Sequence, residues 1–347
     1  MDWKDSALDI EKLSKIRDAL IDEESKILFD ARVEYLYTGN EDRYFDVIES
    51  LPHIWRSTEL SGIDAKTELI IFGCGHDGRK TNRILKKSGY TVKFFCDSNV
   101  FNQKVDGIEV ISVEELCEKH REALVIMGSA KYGAEMFFEL KNRGWPEEKL
   151  IKPRFGICLS RCGKQYFDFF SCGKEEVFVD AGAYDGETTL KFISWAGDYS
   201  KIFVLEPLPE MHEIISNKVK GLNNIVIKKC AAWNQEEKLY FHKDLDRTSS
   251  NVDKRGEVEV CGNSIDNIVA GARVTYIKMD LEGSEYKALE GAKETIQRWK
   301  PKLAISIYHK PGDVITLASY ILRLVPEYKL GIRHYNSDMC ETVLYAY

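Results

Sequence analysis

Apolar residues recur at helical spacing through the first 60 positions. Leu13, Ile16 and Leu20 share one face, Leu28, Ala31 and Tyr35 another, and Gly39-Asn40 closes the second pattern. The spacing then changes to short apolar runs broken by glycine. Runs at 68–72, 92–96 and 124–127 predict strands, with helical spacing between and after them at Ile84, Leu85, Met136, Phe137 and Leu140. Residues 61–150 are therefore expected as a small Rossmann-like unit. The helical segment 1–60 is expected to pack on that next domain or on a second subunit. Trp145-Pro146, Pro153 and several glycines follow, and 151–176 read as a linker. A second strand–helix alternation fills 177–347. Its predicted strands are 177–180, 202–205, 225–228, 276–279, 303–308, 330–334 and 342–346. The last two, joined at Asn336-Ser337-Asp338, predict an antiparallel hairpin. The fold class is α/β, with two Rossmann-like units and no repeat at solenoid periods.

Composition narrows the partners. A chain of 347 residues, 44% hydrophobic and 30% charged, has material for two ordinary cores. A net charge of -7 argues against nucleic acid as the main partner, because phosphate contacts need a basic surface. No apolar run reaches bilayer length, and Met1-Asp2-Trp3-Lys4-Asp5 does not read as a signal peptide. Nine scattered cysteines, several in apolar runs (Cys74, Cys96, Cys230), fit buried thiols in a reducing cytoplasm. Cys158, Cys162 and Cys172 have irregular spacing and no evident fourth ligand, so a zinc site is not expected.

Three segments of the second unit carry candidate chemistry. The first is Asp180-Ala181-Gly182-Ala183-Tyr184-Asp185-Gly186-Glu187-Thr188-Thr189 after a buried strand. Gly182 and Gly186 permit a tight turn, and a helix starting near Glu187 or Thr188 brings its amide groups to it. Asp180 and Asp185 place carboxylates where a cationic amine or sulfonium can sit. The second is Glu206-Pro207, about 20 residues on, where nucleotide folds place an acid against ribose hydroxyls. The third is Lys278-Met279-Asp280-Leu281-Glu282-Gly283-Ser284-Glu285 at the end of another strand. That end belongs to the ligand edge of a parallel sheet.

With Ala231-Ala232, Leu289-Glu290-Gly291-Ala292, Tyr308-His309-Lys310-Pro311, Arg333-His334-Tyr335 and the tail through Tyr345, these motifs resemble the FkbM family of class I methyltransferases. The resemblance runs from 180 to 347. It implies a seven-stranded sheet with one antiparallel strand and S-adenosylmethionine lying across the strand ends. Asp180, Gly182, Ala183, Tyr184, Asp185, Gly186, Glu187 and Thr188 would border its amino-acid part, with Asp280 close by. Glu206 and Pro207 would border its ribose, and Cys230 and Ala231 its adenine. The implied reaction is O-methylation of a sugar, glycan or glycosylated small molecule.

Such a reaction aligns acceptor, methyl and sulfur, and takes a proton from the acceptor hydroxyl. Asp280, Glu282 and His309 are the candidate bases, and a metal held by Asp280 and Glu282 is an alternative. Each has a plainer reading: a carboxylate capping the next helix, a histidine serving as a structural donor. His334 beside Arg333 reads as packing or solvent-facing, against an anion-binding alternative. In the first unit, Gly73, Gly75 and Gly78 precede a helix, and Asp97 ends the next strand. This fits a nucleotide or nucleotide-sugar pocket, or glycines that serve packing alone. A binding protein without turnover is the competing function. An NAD-dependent oxidoreductase is disfavoured, because no hydride-transfer site accompanies the turn.

Overall fold

A computed structural model describes residues 10–51, 63–64, 66–87, 89–129, 131–151, 164–241, 258–336 and 339–347. By its internal contacts the chain divides into two units, Leu51–Ser160 and a second made of Met1–Ser50 with Arg161–Tyr347.

The unit Leu51–Ser160 is built on strands β1 (Leu69–Phe72), β2 (Val92–Cys96), β3 (Gln103–Val105), β4 (Ile108–Ile111), β5 (Leu124–Met127) and β6 (Leu150–Ile151). They lie in the order β3-β4-β2-β1-β5-β6, all parallel except β3 against β4. All four residues of β1 are buried, as a central parallel strand covered on both faces requires. The sequence predicts β1, β2 and β5. The β3–β4 hairpin is new. It turns at Asp106-Gly107, both at positive φ (52° and 79°), the geometry a two-residue hairpin needs. Its exposed strand Gln103–Val105 has no apolar alternation to reveal it.

The second unit holds β7 (Glu176–Ala181), β8 (Tyr199–Leu205), β9 (Ile225–Lys228), β10 (Ala231–Trp233), β11 (Glu237–Phe241), β12 (Val258–Ser264), β13 (Tyr276–Met279), β14 (Lys302–Ser306), β15 (Leu330–His334) and β16 (Thr342–Ala346). Seven of these form one sheet in the order β15-β16-β14-β13-β7-β8-β9. Only β16 runs antiparallel, pairing with both β14 and β15. All seven predicted strands are present. The predicted turn residues Ser337 and Asp338 lie outside the described residues. Strands β10, β12 and β11 form a separate small sheet around Ala231, Leu239, Phe241 and Val260. Nothing in the sequence pattern had announced it.

The N-terminal helices Ile10–Ala19, Glu23–Thr38 and Glu41–Ser50 belong to this second unit, not to the unit 61–150 that follows them in sequence. Arg333 in β15 binds Asp22 at 2.6 Å, and the Ile332 amide donates to Ser25 Oγ at 2.9 Å. Ile21 N donates to Leu330 O at 3.0 Å, so the segment also covers the edge of the sheet. Asp22 doubles as the N-cap of Glu23–Thr38. The stretch expected as a linker contributes to the core as well. Tyr166, Phe167 and Phe170 are buried with Phe178, Phe192, Tyr276 and Tyr345, and the Phe178 and Phe192 rings stack 4.0 Å apart. Residues 152–163, including Cys158 and Cys162, lie outside the described residues.

Candidate active site

The order of the seven-stranded sheet reverses between β7 and β13: β8 and β9 lie to one side, β14 to the other. At such a switch point the loops leaving two adjacent strand ends diverge and open a crevice. The three candidate segments leave the carboxyl ends of β7, β8 and β13, so the fold lines them along one edge.

The loop after β7 is tied down from several sides. Asp180, fully buried, pairs with Lys278 Nζ at 3.1 Å and accepts from Thr189 Oγ1 at 2.7 Å. Lys278, also buried, donates to Gly182 O at 2.6 Å. Gly182 has φ +76°, and a Cβ there would lie 1.9 Å from Asp280 O, so only glycine lets the loop cross the end of β13. Gly182 N and Ala183 N donate to Leu205 O at 3.0 and 3.2 Å. Tyr184 and Gly186 also take positive φ, 48° and 83°. Asp185 bonds Lys218 Nζ at 2.8 Å and accepts from Glu187 N at 3.1 Å. Burial pushes its pKa up, but Lys218 and the Glu187 amide outweigh that and hold it low. Neither Asp180 nor Asp185 is thus an unpaired carboxylate awaiting a cation. Both brace the loop.

Glu206 links loop and neighbouring strand. Its Oε2 accepts from Tyr184 N and its Oε1 from Leu208 N, each at 2.8 Å. It is 4% exposed, and burial raises its pKa to about 7 against those two amides. Each oxygen retains one acceptor site. Pro207 follows, half-buried, and Cys230 and Ala231 lie buried just beyond the end of β9.

Beyond β13, Asp280 accepts from Tyr166 OH at 2.8 Å and from Tyr308 OH at 3.3 Å. Burial raises its pKa, yet Lys278, His309 and the hydroxyls of Tyr166 and Ser306 overcome that and lower it. His309 Nδ1 meets Glu285 Oε1 at 2.8 Å, and its Nε2 lies 3.5 Å from Asp280 Oδ1 and 3.4 Å from Glu282 Oε2. Burial disfavours the imidazolium, but the three carboxylates raise its pKa to about 9. Glu282, at φ +52°, is pushed by burial to about 7, with His309 opposing. Glu285 is 1% exposed, and its Oε1 also accepts from Leu281 N at 2.8 Å. The residues predicted as bases therefore converge, with Glu285 orienting the imidazole. His334 does not join them: it is fully buried in β15, bonded to Thr342 Oγ1 at 2.8 Å.

The seven-stranded order with one antiparallel strand is what the resemblance implies. Residues 180–329 match the family model described as Methyltransferase FkbM domain. This stretch of the chain is an FkbM methyltransferase domain.

The FkbM domain lies in a chain whose fold is similar to that of the methyltransferase FkbM from Methylobacillus flagellatus KT. The two are 21% identical, and the match covers 92% of this chain and 100% of that one at a TM-score of 0.50. An rRNA methylase from Streptococcus thermophilus is 15% identical over 55% of this chain and 93% of its own, with a TM-score of 0.35. Fibrillarin from Aeropyrum pernix, solved with natively bound S-adenosyl-L-methionine, is 11% identical over 55% and 74%, with a TM-score of 0.37. No curated protein matches the chain.

Two residues at the site, Lys278 and Tyr166, escaped the sequence reading. Lys278 had a signal, since a lysine inside a fully buried strand needs an acid nearby. Tyr166 had none. It reaches Asp280 from an irregular turn at φ +72°, and its backbone is held by the hydroxyls of Tyr345 and Tyr276.

In the unit Leu51–Ser160, a cleft of about 620 Å³ opens at the ends of β1, β2 and β5, where that sheet also reverses. Gly73, Gly75 and Asp97 line it, with Ser98, Ser129 and Lys131. Gly78 serves packing: its Cβ would lie 1.9 Å from Gly73 O. Asp97 accepts from the amides of Cys74, Asn99 and Val100 at 3.2, 2.9 and 3.1 Å, and so fixes the glycine loop.

Proposed function

We propose that the FkbM domain transfers the methyl group of S-adenosylmethionine to a hydroxyl of a sugar, glycan or glycosylated small molecule. The observation that carries this reading is the 2.8 Å bond from Tyr184 N to Glu206 Oε2, which joins the glycine loop to an acid at the adjoining strand end. The donor set suits the cofactor. Glu206 keeps acceptor sites for ribose hydroxyls, the helix Glu187–Ala196 begins at Gly186 without a side-chain cap, and Cys230 and Ala231 offer an apolar wall for adenine. When bound, the cofactor supplies an electrophilic methyl on a sulfonium.

The chain's residues do the rest. Asp280 and Glu282 face the acceptor side. Glu282 is the better proton acceptor, because a base is most effective with a pKa near the working pH. His309, charged near neutrality and held by Glu285, eases the repulsion between the two carboxylates by its charge. Tyr166 and Tyr308 fix the Asp280 carboxylate. Calorimetry with S-adenosylmethionine tests the binding half of the proposal, and a one-methylene mass gain on glycan extracts tests the transfer half. A folded chain that binds no cofactor removes both.

A second reading concerns the cleft at Gly73, Gly75 and Asp97, for which we infer a nucleotide-linked acceptor as ligand. Its support is the position of a roomy cleft at a sheet reversal beside a glycine loop. Asp97 acts there through the loop rather than through ribose. Competition calorimetry with a uridine diphosphate sugar checks it, and absence of heat sinks it. The thiols of Cys74, Cys96 and Cys230 are free and buried, which supports a reducing, cytoplasmic setting. Among the described residues no helix is long and apolar enough to cross a membrane.

A further inference from the structure

We propose that Asp280 and His309, oriented by Glu285, bind one divalent transition-metal ion. The inference does not depend on methyl transfer. Asp280, Glu285 and His309 offer ligand atoms that all lie within 4.8 Å of one another. They come from three places: the end of β13, the first residue of the helix Glu285–Glu290, and the segment after β14.

Clustered acids alone are common on protein surfaces. Here the distinguishing feature is a buried ring nitrogen without a hydrogen-bond partner among the described residues. The His309 side chain is 7% exposed, and its Nε2 has no hydrogen-bond partner among the described residues. That atom faces Asp280 Oδ1 at 3.5 Å and Glu282 Oε2 at 3.4 Å, both beyond ordinary N–H···O distances. Two ligands on one tetrahedral ion with bonds of about 2.1 Å lie roughly 3.4 Å apart. Buried Glu285 Oε2 likewise has no partner among the described residues.

The surroundings match a metal histidine. A carboxylate on the far ring nitrogen fixes the tautomer and leaves the other nitrogen's lone pair for the ion. Glu285 Oε1 holds that position at Nδ1 and is itself fixed by the Leu281 amide. The nearby ammonium groups are engaged elsewhere, Lys278 with Asp180 and Lys310 with Gly283 O. One nitrogen with carboxylate oxygens favours Mn²⁺, Fe²⁺ or Zn²⁺ over Ca²⁺. Asp280 and Glu282 side chains are 26% and 31% exposed, so water or a hydroxyl can complete the shell. Binding displaces the proton of the imidazolium into solvent.

The probe is Mn²⁺ alone, titrated into full-length chain stripped with EDTA and followed by electron paramagnetic resonance. The expected result is one saturable Mn²⁺ per chain, with a nitrogen coupling from His309 in the pulsed spectrum. D280N and H309Q should each weaken binding at least about tenfold, and E285Q by about 10–100-fold, the usual effect of losing a ligand's orienting partner. No saturable Mn²⁺ in a folded wild-type chain, bound Mn²⁺ without nitrogen coupling, or equal binding by folded D280N overturns the proposal. Calorimetry with S-adenosylmethionine on the same sample reports separately on the methyl-transfer reading.

Discussion

Lys278 and Asp180 are register partners across β13 and β7, and their side chains pair at 3.1 Å with 2% and 0% exposure. The pair sits where the two diverging loops begin. Lys278 also holds Gly182 O, so one ammonium fixes both a carboxylate and the turn of the glycine loop. The fold thus places a full charge pair beneath the proposed cofactor, where it shapes the loop without touching solvent.

Breaking that pair from one side should be costly. In Lys278→Met, Asp180 stays buried with only Thr189 as a donor, and an uncompensated buried charge typically costs about 3–5 kcal/mol. Urea unfolding should show a loss of that order. The double variant D180N/K278M should lose less than the sum of the single variants, because no charge is stranded. A K278M protein within about 1 kcal/mol of wild type would mean the pair is not buried as described.

Much of this arrangement was legible in the sequence, for definite reasons. Apolar runs such as those at β7 and β13 mark strands buried on both faces, and acids placed at their ends mark a ligand edge. What the sequence concealed were partners chosen by tertiary structure. Asp180 and Asp185 looked available but are bonded to Lys278 and Lys218, residues about 100 and 30 positions away. Tyr166 looked like linker because its turn has no periodicity. The small sheet β10-β12-β11 stayed hidden because β10 has only three residues and β11 and β12 alternate apolar with exposed polar positions.

The two loop glycines should respond differently to alanine. At Gly182 a Cβ meets the Asp280 carbonyl oxygen at 1.9 Å, and that backbone atom cannot move without shifting β13. G182A should fold poorly, with a thermal midpoint far below wild type. At Gly186 the nearest atom is Ile215 Cγ1 at 3.5 Å, so strain at φ +83° is the main cost, roughly 1–2 kcal/mol. G186A should fold and lose cofactor affinity by calorimetry. Equal stability of the two variants would contradict the described loop.

Tyr166→Phe removes one of the two hydroxyl donors bonded to Asp280 and keeps the ring over which Lys278 sits at 5.3 Å. Hydrogen bonds to charged groups contribute about 1.5–3 kcal/mol, so methyl transfer should slow by roughly 10–100-fold if the carboxylate's position matters. The affinity for S-adenosylmethionine should not change. The acid limb of the pH–rate profile should stay in place, because Glu282 at about 7 sets it and Asp280 titrates below its ordinary range. A lowered cofactor affinity with unchanged turnover at saturation would assign Tyr166 to the fold instead.

Glu206 makes a prediction about pH. Its pKa lies at about 7 in the folded chain, against an ordinary value of 4.5, with burial as the leading cause. The folded state therefore binds a proton more tightly than the unfolded state. Its contribution is complete below about pH 4.5 and disappears as the pH rises through 7. Asp313, buried beside Glu285 and raised from 3.8 to about 7, works in the same direction. A tenfold difference in proton affinity between the two states corresponds to about 1.4 kcal/mol, so Glu206 contributes at most about 3 kcal/mol. Without ligand, the urea midpoint should fall between pH 5 and pH 8. E206Q, uncharged throughout, should flatten that decline, and saturating S-adenosylmethionine should offset it by favouring the ionised carboxylate as ribose acceptor. A midpoint that rises from pH 5 to pH 8, or an E206Q curve parallel to wild type, would place the Glu206 carboxylate in water and away from the ribose.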